Sequence, residues 1–207
     1  VSEDPQTELL RIVSKIKELR EAYDLEFKNF AILVRYNRQR LYYEEALQNF
    51  RIPVYREEDL ESPEVPGVHV ETVHGSKGLQ YTVVFYAGLS ERLTPGECEG
   101  SRKQKKMQLE EEKRLFYVGV TRAEAVLILL YCKKRFWKGR LSEFKPSRFL
   151  RYLERPLSEK SHMPLILFKI RVIILVLGYM MVVMPPFLFR CVFMRKSVPA
   201  WVEYRVQ

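Results

Sequence analysis

Thr72-Val-His-Gly-Ser-Lys-Gly-Leu-Gln-Tyr81 is the stretch on which the reading of this chain turns. It leaves one strand-like run, Val68–Val73, and enters another, Tyr81–Ala87. Gly75 and Gly78 free the backbone between them to turn tightly or to approach a ligand closely. Thr72, His74 and Lys77 bring a hydroxyl, an imidazole and an ammonium, a donor set suited to phosphate oxygens. On the residues alone, the alternative is a strand-to-helix turn carrying a solvated lysine.

Working outward, strands alternate with helices. Upstream, Leu9, Ile12, Ile16 and Leu19 recur at three- and four-residue steps and predict a helix over Thr7–Tyr23. Phe30–Val34 is a continuous apolar run, the pattern of a strand covered on both faces. Arg40–Phe50 reads as a second helix with Leu41, Ala46 and Leu47 on or near one face, and Ile52–Tyr55 as a short extended piece. Downstream, Glu57–Gly67 (acidic, with Pro63 and Pro66) and Glu97–Lys106 read as loops, the latter including a solvated Arg102–Lys106. Leu109–Arg122 predicts a helix and Ala125–Tyr131 a buried strand, while Ser147–Leu150 opens a final helix. Alternation of this kind predicts an α/β domain with a parallel sheet flanked by helices.

Glu111-Glu-Lys-Arg-Leu-Phe-Tyr-Val-Gly-Val-Thr-Arg-Ala123 is the second segment with chemistry in it. Glu111, Glu112 and Lys113 read as a surface face with short-range ion pairs. Arg122, ending the helix just before a strand, can project from a sheet edge, where a rigid guanidinium neutralises charge on a transferring phosphoryl group.

These segments resemble motifs V and VI of the superfamily 1 DNA helicases of the UvrD/Rep type, which read T-x-H-x-x-K-G-L-E-[aromatic] and E-E-x-R-L-x-Y-V-x-x-T-R-A. Phe30–Asn37 resembles that family's motif IV, and Pro146–Leu150 the segment that closes its motor core. The resemblance covers roughly residues 30–155 and implies a RecA-like fold, the second motor domain of an ATP-dependent, 3′-to-5′ DNA helicase with roles such as DNA repair. By residue, it implies that Arg35 and Arg122 contact the γ-phosphate of ATP, Arg122 as an arginine finger, and that Gln80 reaches the nucleotide sugar. Thr72 and His74, with Lys77 beside them, would contact single-stranded DNA. Three departures stand out. The sugar-contacting position holds Gln80 instead of Glu, an aromatic expected before Arg35 is Val34, and the helical insertion usual between motifs IV and V is replaced by a short acidic loop. Tyr36 would share a strand face with Val34.

No G-x-x-x-x-G-K-[ST] loop and no strand-borne Asp-Glu pair occurs, so ATP and Mg²⁺ would be held mainly by a first RecA-like motor domain outside this chain. Alone, the chain is expected to hydrolyse ATP poorly, and the alternative function is a non-catalytic DNA-binding or regulatory module derived from a helicase. Weaker features are Lys133–Arg140, basic with an embedded Phe136-Trp137, and His69 and His162, which carry no metal or triad spacing.

Composition divides the chain. It carries 35 Lys+Arg and 26 Asp+Glu over 207 residues, a net +9. Residues 1–155 hold 28 basic and 24 acidic residues and read as the motor domain; 156–207 hold seven and two, and are largely apolar between Met163 and Met194. Val172–Phe189 has eighteen residues without a charge, the short limit for a membrane span. A membrane anchor, an arm docking on a missing partner and a non-native C-terminus are the readings of that tail. Three scattered cysteines exclude a disulfide framework, and the polar N-terminus predicts no secretory signal. An intracellular setting, cytoplasm or nucleus, follows as the expectation.

Overall fold

The two central strands of the main sheet are buried on both faces, and their alternate residues go to different cores. In the computed structural model, which describes residues 2–55, 67–154 and the short strands at 174–176, 179–182 and 192–193, β1 (Phe30–Val34) is buried throughout. Phe30, Ile32 and Val34 join one core, Ala31 and Leu33 the other. β2 (His69–Thr72), β3 (Tyr81–Tyr86) and β4 (Ala123–Leu129) complete a sheet of order β2-β1-β3-β4. All three pairings are parallel. This is the expected α/β arrangement of a parallel sheet flanked by helices.

The first core lies under α1 (Pro5–Tyr23) and α2 (Asn37–Asn49). Asp4 caps α1 by accepting the Thr7 N–H at 2.7 Å, with Pro5 opening the helix where no amide donor is needed. The helix ends at Asp24, whose left-handed backbone (φ 52°) returns its N–H to the Arg20 carbonyl. Leu9, Ile12, Val13, Ile16 and Leu19 fill the sheet-facing stripe as the spacing predicts. Each such fully buried side chain contributes about 1.5–3 kcal/mol of transfer free energy. In α2 the inward position belongs to Tyr43, while Leu41 is exposed.

The second core lies under α3 (Arg102–Val120), which supplies Phe116 and Val120. Here the expected loop over Glu97–Lys106 is corrected in its second half, because Arg102–Lys106 forms the first turn of α3. Ser101 and Gln104 form a reciprocal capping box, which satisfies two helix-end donors and draws the basic run into the helix. Gly119 lets the helix approach the sheet: a Cβ there would stand 2.5 Å from the Tyr86 ring.

After β4 the chain makes an antiparallel hairpin, β5 (Lys134–Trp137) and β6 (Arg140–Glu143). A single 3₁₀ turn (Arg148–Leu150) and the short α4 (Arg151–Glu154) follow, where Phe149 and Leu150 close the second core. Beyond it, β7 (Ile174–Val176), β8 (Tyr179–Val182) and β9 (Val192–Phe193) pair antiparallel. The remaining residues of the apolar tail, and most of the acidic loop over 57–67, lie outside the described residues. Among the described residues, no helix is long and apolar enough to cross a membrane.

Candidate functional site

Because the strands are parallel, the sheet has a carboxyl edge and an amino edge, and the segment between β2 and β3 joins them. It leaves the carboxyl edge at Thr72, opposite Val34, and reaches the amino edge at Tyr81, opposite Ala123. Successive turns carry it across. The Ser76 N–H donates to the Thr72 carbonyl at 2.9 Å, Lys77 to His74 at 3.3 Å and Leu79 to Ser76 at 3.1 Å. The Thr72 hydroxyl oxygen accepts the Gly75 N–H at 3.0 Å, and the buried Ser76 hydroxyl donates to the Val73 carbonyl at 2.9 Å. Gly78 has φ +90° with open space where a Cβ would be, so glycine is needed there for its backbone and not for room. The scaffold leaves His74, Lys77 and Gln80 exposed and Thr72 half-buried.

Arg122 stands at the amino edge between α3 and β4. Its Nε donates to the Val118 carbonyl at 3.0 Å, Nη1 to the Leu79 carbonyl at 3.0 Å and Nη2 to the Thr121 hydroxyl at 3.1 Å. The first satisfies a carbonyl at the end of α3, and the second holds the guanidinium against the crossing segment. A guanidinium has five N–H donors, so one remains on each terminal nitrogen, the fork that an anionic oxygen pair accepts. Gln80 and Arg122 precede directly paired residues and are neighbours at this edge.

Arg35 is elsewhere, which corrects the expectation that Arg35 and Arg122 meet one γ-phosphate. Along the ladder through β3, Arg35 stands level with Gly88 and Arg122 with Gln80, eight residues apart. At about 3.3 Å per residue the separation is roughly 26 Å, too far for one phosphate to touch both. Parallel strand direction is the cause: Arg35 follows a strand and Arg122 precedes one. Arg35 is also engaged, donating through Nε and Nη2 to both oxygens of Glu112 at 3.2 and 2.5 Å. Hydrogen bonding to Glu112 raises the guanidinium above its ordinary value, against the opposing effect of burial. Glu112 is therefore not a surface-pair residue, whereas Glu111 pairs with Arg114 at 3.2 Å as expected of an exposed face. Tyr36 does not continue the strand. It begins α2, its N–H donating to the Gln39 side chain.

Two clusters went unread in the sequence. At the amino edge His69 lies between Tyr55 and Tyr81, with ring centroids at 4.3 and 4.9 Å. Burial lowers the His69 pKa, and its Nδ1 is buried without a partner. Beside β4, Glu8 is wholly buried with Tyr43, Cys132 and Arg135 around it. Neither cluster has a local signature, since its members come from distant segments. In the basic hairpin Arg135 turns inward, Trp137 packs edge-on against Phe144 and Phe136 is left 78% exposed. Among the described residues, no group of three or more His, Cys, Asp and Glu is placed to hold a metal ion.

Residues 54–134 match the model of the UvrD-like helicase C-terminal domain, a span that includes the crossing segment, α3 and Arg122. The chain contains a UvrD-like helicase C-terminal domain. Among its relatives, the ATP-dependent DNA helicase PcrA of Staphylococcus aureus is 33% identical over 117 residues, which are 56% of this chain and 16% of that protein. The ATP-dependent DNA helicase Rep of Buchnera aphidicola is 41% identical over 83 residues, 40% of this chain and 12% of Rep. A Mycoplasma capricolum protein named "Probable DNA helicase II homolog" is 35% identical over 155 residues, 70% of this chain and 21% of that protein. The matched residues thus span only 12–21% of the length of these relatives. A solved C-terminal domain of a possible DNA helicase from Lactobacillus plantarum has a TM-score of 0.47 and 19% identity, covering 63% of this chain and 70% of that one.

Proposed function

We propose that this UvrD-like C-terminal domain is the second half of an ATP-driven DNA motor, and that its crossing segment links strand binding to the nucleotide. Thr72, His74 and Lys77 meet the backbone of single-stranded DNA at the carboxyl edge. Gln80 and the free N–H fork of Arg122 meet ATP held by a first motor domain at the amino edge, Gln80 at the sugar and Arg122 at the γ-phosphate. The observation that carries this reading is the guanidinium of Arg122 bound to the Leu79 carbonyl at 3.0 Å, at the end of the segment that begins at Thr72. A shift of the segment at its DNA end is thereby felt by the arginine. Movement is 3′-to-5′ in this reading.

Mixing the full chain with a first motor domain of a PcrA- or Rep-like helicase tests it. DNA-stimulated ATP hydrolysis is expected in the mixture, and Arg122→Ala should reduce it about 10³-fold or more, the usual worth of an arginine finger. Arg122→Lys, which keeps the charge without the fork, should recover little. Full activity in Arg122→Ala would end the finger assignment.

The Arg35–Glu112 pair favours a second reading, a non-catalytic DNA-binding or regulatory module, because it withdraws one of the two arginines from nucleotide chemistry. In that case the mixture binds single-stranded DNA and its ATP hydrolysis does not respond to it.

A further inference from the structure

The folded domain does not spread its positive charge evenly. Residues 1–130 hold 19 Lys+Arg and 22 Asp+Glu, net −3, whereas residues 131–154 hold eight and two, net +6. Part of that segment walls a cavity of about 670 Å³, lined by Lys145, Arg148 and Arg151 with Glu91, Tyr131 and Ser147.

The cavity sits at the carboxyl edge. The Glu91 N–H donates to the Lys145 carbonyl and the Ser147 N–H to the Leu89 carbonyl, both at 2.9 Å, so 145–147 is stitched to the chain leaving β3. Its one carboxylate is already matched. Arg148 donates to Glu91 from Nε at 3.1 Å to each oxygen and from Nη2 at 2.6 Å, and its backbone N–H adds a fourth bond at 2.6 Å. Lys145 and Arg151, both exposed, have no side-chain hydrogen bond or ion pair among the described residues. Two unmatched cations beside a saturated carboxylate, in a concave site, select an anion with several oxygens.

We infer that Lys145 and Arg151 form a second phosphate-binding station for single-stranded nucleic acid. This rests on the reading that Thr72 and His74 grip such a strand at the same edge. From β2 to β4 is three inter-strand spacings, roughly 14 Å at about 4.8 Å each. A single strand laid along the edge covers that distance within a few nucleotides. The two stations therefore hold one strand across the sheet edge, with the second set apart from the amino edge where Arg122 stands.

Anisotropy of fluorescein-labelled dT16 with the full chain, titrated from 50 to 200 mM NaCl, tests the station. The Lys145 and Arg151 contacts to a single strand should contribute about 1.4 to the log–log salt slope, so Lys145→Gln/Arg151→Gln should weaken binding about 60-fold at 50 mM and about tenfold at 200 mM. Each single variant should flatten the slope by about 0.7, with an unchanged thermal midpoint. Parent-like binding by the double variant overturns the station. If Thr72→Val/His74→Asn weakens binding in the same titration, the edge reading survives that loss; if it does not, the edge reading falls by itself while a loss in the double variant still supports the station. Displacement of dT16 by millimolar inorganic phosphate from the parent but not from the double variant would assign the site to free phosphate and overturn the nucleic-acid assignment.

Discussion

Replacing Glu8 with alanine should bring the fold close to unfolding. Glu8 is wholly buried and accepts hydrogen bonds from the Tyr43 hydroxyl, from Cys132 Sγ at 3.2 Å and from Arg135 Nη2 at 2.8 Å. Arg135 itself is only 9% exposed, and burial together with the Glu8 charge pushes the Tyr43 phenol and the Cys132 thiol well above their ordinary values. Glu8→Ala leaves a guanidinium in the core without its carboxylate, which costs about 3–5 kcal/mol. The stranded Tyr43 hydroxyl adds about 1–3 kcal/mol. Against a total stability of about 5–15 kcal/mol for a domain, a loss of about 4–8 kcal/mol removes a large share, and all of it at the lower end. Removing both charges in Glu8→Leu/Arg135→Met should restore most of the loss, because the uncompensated ion is gone. Urea unfolding of the parent, Glu8→Leu, Arg135→Met and Glu8→Leu/Arg135→Met, followed by far-UV circular dichroism, reads the coupling, expected at about 2 kcal/mol or more. A Glu8→Ala protein within about 1 kcal/mol of the parent, or a double variant no more stable than Glu8→Ala, would refute the account of the buried pair.

Two further outcomes follow from the packing. Gly119→Ala, which in an open helix would stabilise by about 1 kcal/mol, should instead destabilise by about 1–3 kcal/mol, because its Cβ meets the fully buried Tyr86 ring at 2.5 Å; the shift in urea midpoint measures it. His69 has a pKa lowered by burial, so the unfolded chain binds the proton more readily than the folded one. That contribution to stability is present above the unfolded value near 6.5 and is lost as pH falls below it. Thermal midpoints between pH 7.5 and 5.5 should therefore decline in the parent and decline less in His69→Asn; equal slopes would remove His69 from the explanation.

Much of the fold was legible before any coordinates. Phe30–Val34 is apolar at every position because both of its faces are covered, and the strand has those same bounds. The α1 stripe repeats at helical spacing because only one face of that helix is buried. Arg102–Lys106 reads as a loop because its five charged and polar residues have no period, while the capping box that makes them helical rests on Ser101 and Gln104. Leu41 is exposed for a related reason: in a mostly polar helix, small shifts of phase decide whether Leu41 or Tyr43 faces the sheet.

By itself the sequence determined which residues are candidates: Thr72, His74, Lys77, Gln80 and Arg122 stand at motif positions that local chemistry can name. Only the tertiary structure decided which of them meet. Strand direction puts Gln80 beside Arg122 and sends Arg35 to the other edge, and register brings Glu112 within 2.5 Å of Arg35 from 77 residues away. The same holds for Glu8 and Arg135, 127 residues apart. Periodicity and propensity are short-range properties of a chain, whereas an ion pair or a binding edge depends on the order, direction and register of strands that the sequence does not list.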